Sequence, residues 1–202
     1  MRILITGVAG FIGFHLASEL LKKKYHIIGI DNLNDYYSPK FKNQKLNLIK
    51  KKKNFKFLKI DLKKKKDLNF IFKKYKPKVI YHLASQPGIM YSFKNPKTYI
   101  TNNIVVTKNL IEQSLKNKVE KFYFTSSSSV YGNKKIIYTP KLVLKPYRKG
   151  EMKKTYGSNK LLKKTINFNN FTSIENGIEK TLDWYKKFKN KNLLYFNKVK
   201  YE

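Results

Sequence analysis

Five short runs rich in β-branched and aromatic residues punctuate the first 126 residues, and four of the intervals between them carry a helical period. The runs are Arg2–Thr6, His26–Asp31, Phe55–Ile60, Val79–Ala84 and Lys121–Ser126. They read as strands because they are too short for helices and end at polar or small residues. Phe11–Lys23 reads as a helix running into a lysine cluster. Pro39–Ile49 is a second helix, and Asp67–Tyr75 starts on a capping aspartate and stops before Pro77. Pro96–Leu115 opens with proline in its first turn. Strand alternating with helix predicts an α/β fold, a doubly wound parallel sheet with right-handed crossovers.

Beyond the fifth strand, residues 127–150 read as an irregular stretch, followed by a helix over 151–167 and a linker over Phe168–Phe171. Thr172-Ser173-Ile174-Glu175 has capping-box spacing and opens a helix through Lys189. Its apolar positions, among them Ile174, Ile178 and Leu182, share a face that is expected to be buried. The expected division is a domain over 1–167 and a C-terminal helix and tail over 168–202.

The first strand passes directly into Thr6-Gly7-Val8-Ala9-Gly10-Phe11-Ile12-Gly13, which opens the first helix. A diphosphate needs close approach to backbone N–H groups at a helix N-terminus, and side chains at those glycines would block it. The spacing is G-x-x-G-x-x-G rather than the G-x-G-x-x-G dinucleotide fingerprint, and the plain alternative is a tight turn without a ligand. Asp31 ends the second strand 18 residues beyond Gly13. That is close to the offset of roughly 20 expected for the acid that hydrogen-bonds an adenosine ribose. A carboxylate there repels a 2′-phosphate and favours NAD over NADP. Asp61 follows the third strand and is read either as an adenine-edge contact or as a turn aspartate.

These strings, with Asp31-Asn32-Leu33-Asn34-Asp35-Tyr36-Tyr37, His82-Leu83-Ala84 and the Ser126–Gly132 run, resemble the extended short-chain dehydrogenase/reductases. Within that superfamily the chain is most similar to the UDP-glucuronate 4-epimerases of the NAD-dependent nucleotide-sugar epimerase/dehydratase family. The resemblance implies a Rossmann-like fold and an NAD site formed by Gly7, Gly10, Phe11, Ile12, Gly13, Asp31, Asn32, Asp61, Leu62, Leu83 and Ala84, with Tyr156 and Lys160. It also implies a catalytic set. Tyr156 would take the proton of the sugar 4-hydroxyl, Ser127 would hydrogen-bond that oxygen, and Lys160 would hold the nicotinamide ribose and tune Tyr156. Hydride would leave the sugar's fourth carbon and return to its opposite face. Tyr156 and Lys160 are four apart and share a helix face, although a chain with 15 Tyr and 43 Lys contains such pairs by chance.

The chain departs from that family in three places. Met90 stands where UDP-glucuronate epimerases usually carry Arg, and a thioether cannot pair with a carboxylate. Val106 replaces a commonly small residue. After the 151–167 helix the sequence passes within a few residues to a segment resembling the family's C-terminal helix, as though two ends of an epimerase were joined across an internal deletion. Most of a UDP-sugar pocket would then be missing, and the exposed sheet edge would be covered by a homodimer or the terminal helix. The alternatives are a nucleotide-binding module without turnover and a 4,6-dehydratase relative; for the dehydratase, the acidic pair expected after the catalytic serine is absent from Ser127-Ser128-Ser129.

A net charge of +33 first suggests nucleic acid. Lys, Asn, Ile, Phe and Tyr, all with A/T-rich codons, make up 111 of 202 residues, against three Ala and two Arg. Codon drift accounts for this skew, so nucleic acid is an unlikely partner. A content of 41% hydrophobic residues keeps the chain out of the disordered class, and zero Cys excludes disulfides and thiolate metal sites. Glu19, the spaced glycines and Lys22–Lys24 interrupt the apolar N-terminus, so neither a signal peptide nor a membrane anchor is expected and the reading is cytoplasmic.

Overall fold

The computed structural model describes residues 1–127, 160–166 and 169–189. The chain divides into two compact units, residues 1–155 and 156–202. In the first, β1 (Arg2–Thr6), β2 (His26–Asp31), β3 (Phe55–Lys59), β4 (Val79–His82) and β5 (Lys121–Phe124) form one parallel sheet in the order β3-β2-β1-β4-β5. The helices between them are α1 (Phe11–Lys22), α2 (Pro39–Ile49) and α3 (Lys65–Tyr75), then α4 (Ile89–Lys94), α5 (Pro96–Tyr99) and α6 (Val106–Lys116).

Alternation along each strand sends side chains to two cores, as a parallel sheet covered on both faces requires. Ile3, Ile5, Ile27 and Val79 pack with Ala17 and Leu21 of α1 and Leu46 and Ile49 of α2. Leu4, Ile28, Ile30 and Ile80 face the other way, against Leu68, Ile71 and Phe72 of α3 and Val106 and Leu110 of α6.

Two helices differ from expectation. Asp67 lies inside the first turn of α3, and Lys64 is its N-cap. The predicted single helix over 96–115 breaks into α5, a π-helical segment Ile100–Val105, and α6. Asn103, within the π segment, is hydrogen-bonded through its side chain to the Gln86 backbone, and a widened turn of this kind is often found at functional sites. Among the described strands β5 lies at the edge; it has four residues, of which Tyr123 and Phe124 are exposed, and Tyr123 stacks on Tyr81 at 4.6 Å.

The second unit contains α7 (Lys160–Ile166) and α8 (Ile174–Lys189). The Ser173 hydroxyl accepts the Asn176 N–H, so the cap sits one residue later than the capping-box reading placed it. Ile174, Ile178 and Leu182 keep their helical spacing but are exposed, contrary to the expected buried face.

Candidate functional site

Strand order reverses between β1 and β4, and at such a point the crevice outside the strands' carboxyl ends is where ligands bind in open α/β sheets. A cavity of about 390 Å³ opens there. Its floor is the glycine turn. Gly7 has φ +70°, and a Cβ on it would lie 2.9 Å from the Ala84 amide nitrogen; a Cβ on Gly13 would lie 2.2 Å from the Gly7 carbonyl oxygen. Both positions therefore require glycine, because backbone approaches backbone. Gly10 caps α1 without any side-chain hydrogen bond, so the helix presents its first-turn amides beside the cavity-lining Gly10, Phe11, Ile12 and Gly13. A diphosphate fits this cradle, since it supplies the acceptors and negative charge that such a turn lacks.

Asp31 forms the next wall. It is 9% exposed, and its Oδ2 accepts the Ala9 N–H at 3.1 Å while its Oδ1 accepts the Leu33 N–H at 2.8 Å. The carboxylate thus fastens the end of β2 to the glycine turn. Lys42 of α2 approaches Asp31 Oδ1 to 3.9 Å and donates to the Asn34 carbonyl at 2.9 Å and to Asn34 Oδ1 at 2.7 Å. Burial pushes the Lys42 ammonium below the ordinary lysine value, and the Asp31 and Asp35 charges pull it back up. Burial lowers Lys45 as well, opposed by Asp31.

Asp61 lines the cavity and also makes a turn: its Oδ1 accepts the Lys63 N–H, and Lys63 Nζ lies 3.1 Å from Oδ2. The turn role of this residue is therefore present in the structure, on the wall of the cavity. Opposite, Leu83, Ala84, Ser85, Gln86 and Pro87 form the wall after β4. The Tyr99 hydroxyl lies within hydrogen-bond reach of both the Pro87 and Gly88 carbonyls, which compete for its single proton, and Gly88, at φ +97°, lies so close to the Tyr36 hydroxyl that a Cβ would clash at 2.2 Å.

Eleven of the twelve described residues that the sequence assigns to the cofactor line this one cavity: Gly7, Gly10, Phe11, Ile12, Gly13, Asp31, Asn32, Asp61, Leu62, Leu83 and Ala84; Lys160 is not among its lining residues. Tyr156 lies outside the described residues. Ser127 is exposed, three residues beyond β5, and Lys160 opens α7 in the second unit and is exposed. Asn34, Tyr36, Lys42 and Gln86 also line the cavity and were missed by the sequence reading. A loop tyrosine or a lysine among 43 carries no signal in one sequence. The Asn34–Lys42 spacing becomes legible only once α2 is seen to turn back on the loop. Among the described residues no cluster could hold a metal ion, and no helix is long and apolar enough to cross a membrane.

The model of the NAD dependent epimerase/dehydratase family matches residues 3–168. The chain belongs to that family. Protein CapI of Staphylococcus aureus is 47% identical over 132 residues, covering 65% of this chain and 39% of its own. The UDP-glucuronate 4-epimerase of Thermodesulfobacterium geofontis is 42% identical over 128 residues, 63% of this chain and 40% of its own. Among solved structures, the UDP-glucuronic acid 4-epimerase of Bacillus cereus, in complex with UDP-glucuronic acid and NAD, superposes with a TM-score of 0.63. It is 38% identical, over 72% of this chain and 46% of that one. The chain therefore spans about two fifths of the length of the curated relatives it matches.

Proposed function

We propose that this chain carries the cofactor half of an NAD-dependent nucleotide-sugar 4-epimerase of the UDP-glucuronate type. The observation that carries the reading is the cavity at the strand switch, where an uncapped helix N-terminus and a buried carboxylate face a common space. The first-turn amides of α1 hold the diphosphate and Asp31 accepts the adenosine ribose hydroxyls, which disfavours a 2′-phosphate. Asn32, Asp61 and Leu62 bound the adenine side, and Leu83 and Ala84 bound the nicotinamide side. Bound NAD supplies a reversible hydride acceptor for the sugar's fourth carbon. Tyr156 takes the 4-hydroxyl proton, Ser127 hydrogen-bonds that oxygen, and the Lys160 ammonium favours the Tyr156 phenolate. We assign residues 1–167 to the cofactor domain and 168–202 to the remnant of a substrate domain.

A second reading, a nucleotide-binding module without turnover, rests on the passage within a few residues from the 151–167 helix to the segment resembling the family's C-terminal helix, an internal deletion that removes substrate-binding chain. Calorimetric titration with NAD separates both readings from a ligand-free turn: no heat at millimolar NAD would remove them together. Incubation with UDP-glucuronate, and separately with UDP-galacturonate, then decides between them. Interconversion supports the epimerase; absence of product in both directions, with NAD bound, leaves the module.

A further inference from the structure

A buried line of polar side chains joins the strand that feeds the glycine turn to the opposite wall of the cavity. His82, at the end of β4, is 1% exposed. Its Nδ1 lies 2.7 Å from Thr6 Oγ1 and its Nε2 2.9 Å from Thr107 Oγ1. Thr107 donates its hydroxyl proton to the Asn103 carbonyl at 2.6 Å, and a hydroxyl has one proton to give. Toward His82 it must therefore accept, which puts the imidazole proton on Nε2 and leaves Nδ1 bare. Thr6 Oγ1 then donates to Nδ1, and its two lone pairs accept the Leu83 and Ala84 N–H groups at 3.2 and 3.1 Å. At the other end of the line Asn103 Oδ1 accepts the Gln86 N–H at 2.7 Å, and Asn103 Nδ2 donates to the Gln86 carbonyl at 3.0 Å.

Leu83 and Ala84 thus hang by their backbones from Thr6, which bonds one ring nitrogen of His82, and Gln86 hangs from the Asn103 side chain, whose backbone carbonyl accepts from Thr107 at the other ring nitrogen. We propose that His82 is the positioning residue of this wall: as a neutral imidazole protonated on Nε2 it fixes the path of residues 83–86 and so the fit of the cofactor. A second ring proton, on Nδ1, would face an oxygen whose lone pairs already accept two amides, and the line would come apart. The groups facing the ring are Thr6 from β1, Thr107 from α6, and the Phe122 and Phe124 rings of β5, none of them charged. Burial alone holds the imidazole at about 4, below its ordinary 6.5.

The cofactor part of this inference rests on the proposed function; the hydrogen-bond part does not, and the experiment separates them. In the full chain labelled with nitrogen-15, the His82 ring signals at neutral pH should show a protonated Nε2 and a bare Nδ1. On acidification they should titrate near pH 4 as the Leu83, Ala84 and Gln86 amides lose exchange protection. A proton on Nδ1, or titration near the ordinary histidine value, overturns the proposal. Thr107→Val, which removes the acceptor, should speed exchange at those three amides while the β1 and β2 amides stay protected, and Thr107→Ser should restore them. A uniform loss across the sheet would reduce His82 to core packing and equally overturn it. Thr107→Val should weaken NAD binding about tenfold, the effect of one lost hydrogen bond, and Thr107→Ser should not. An unchanged affinity in Thr107→Val refutes the cofactor part. If the unsubstituted chain binds no NAD, the proposed function fails, and the tautomer and exchange results still decide the role of His82.

Discussion

Asp31 accepts the Ala9 amide at 3.1 Å, so the acid that ends β2 is tied to the glycine turn that follows β1. One carboxylate thereby ties the fold together at the wall of the cavity, where the proposed function also gives it the adenosine ribose. Asp31→Asn keeps an acceptor for one of the two amides and turns an N–H against the other. The expected cost is about 1.5–3 kcal/mol of stability, the range for a hydrogen bond to a charged group, read from the urea midpoint. NAD affinity should fall about tenfold and the preference over NADP should shrink, measured by parallel titrations with the two cofactors.

Gly13 and Gly177 should respond in opposite directions to the same substitution. A Cβ on Gly13 would sit 2.2 Å from the Gly7 carbonyl oxygen, a backbone atom that cannot move aside without opening the turn. Gly13→Ala should destabilise the first unit by about 2–3 kcal/mol, as overpacking does, and abolish NAD binding. Among the described residues nothing lies within 4 Å of a Cβ at Gly177 inside α8, so Gly177→Ala should stabilise that helix by about 1 kcal/mol. Thermal melts of the first variant and amide exchange in α8 of the second provide the readings.

The difference between those two glycines also shows what the sequence could reveal. Periodicity located β1, β2 and α2 to the residue, because two-sided burial leaves near-continuous apolar runs and Pro39 marks a helix start. The Gly7–Gly13 turn and Asp31 were legible because their spacing along the chain is also their spacing in space. Asn103 and Thr107 were not: in sequence they continue a helical period, and only the Gln86 backbone and the His82 ring across the fold give them a task. The lysines were legible as composition but not as position. Several fall in last helical turns, among them Lys22, Lys73, Lys74 and Lys116, where they complement the helix dipole. Part of the charge thus has a structural place whatever its origin in codon usage.

Stability should fall in acid through His82. The unfolded imidazole binds its proton near 6.5 and the folded one near 4, so the unfolded state is the more protonated between these values. The contribution is fully present above about pH 6.5 and is lost progressively as the pH falls to about 4, for a total on the order of 3 kcal/mol. Urea midpoints from pH 8 to pH 4 should trace this decline, and His82→Gln, which removes the titrating ring, should flatten it. An equally steep slope in the variant would assign the effect to other groups.

Lys42 should separate stability from affinity. The residue is 7% exposed, and its ammonium donates to Asn34 twice. Burial nevertheless leaves it easier to deprotonate than a free lysine, so its surroundings disfavour the charge on balance. Lys42→Met keeps the apolar stem and removes the charged head, so the change in folding stability should stay within about 1 kcal/mol. The Asn34 carbonyl and side chain then lose their donor, and the loop from Asn32 to Ser38 is no longer fixed beside Asp31. NAD affinity should fall about three- to tenfold with the urea midpoint nearly unchanged, because the loss is one of loop positioning. A variant whose stability and affinity fell together would instead make Lys42 part of the folding core.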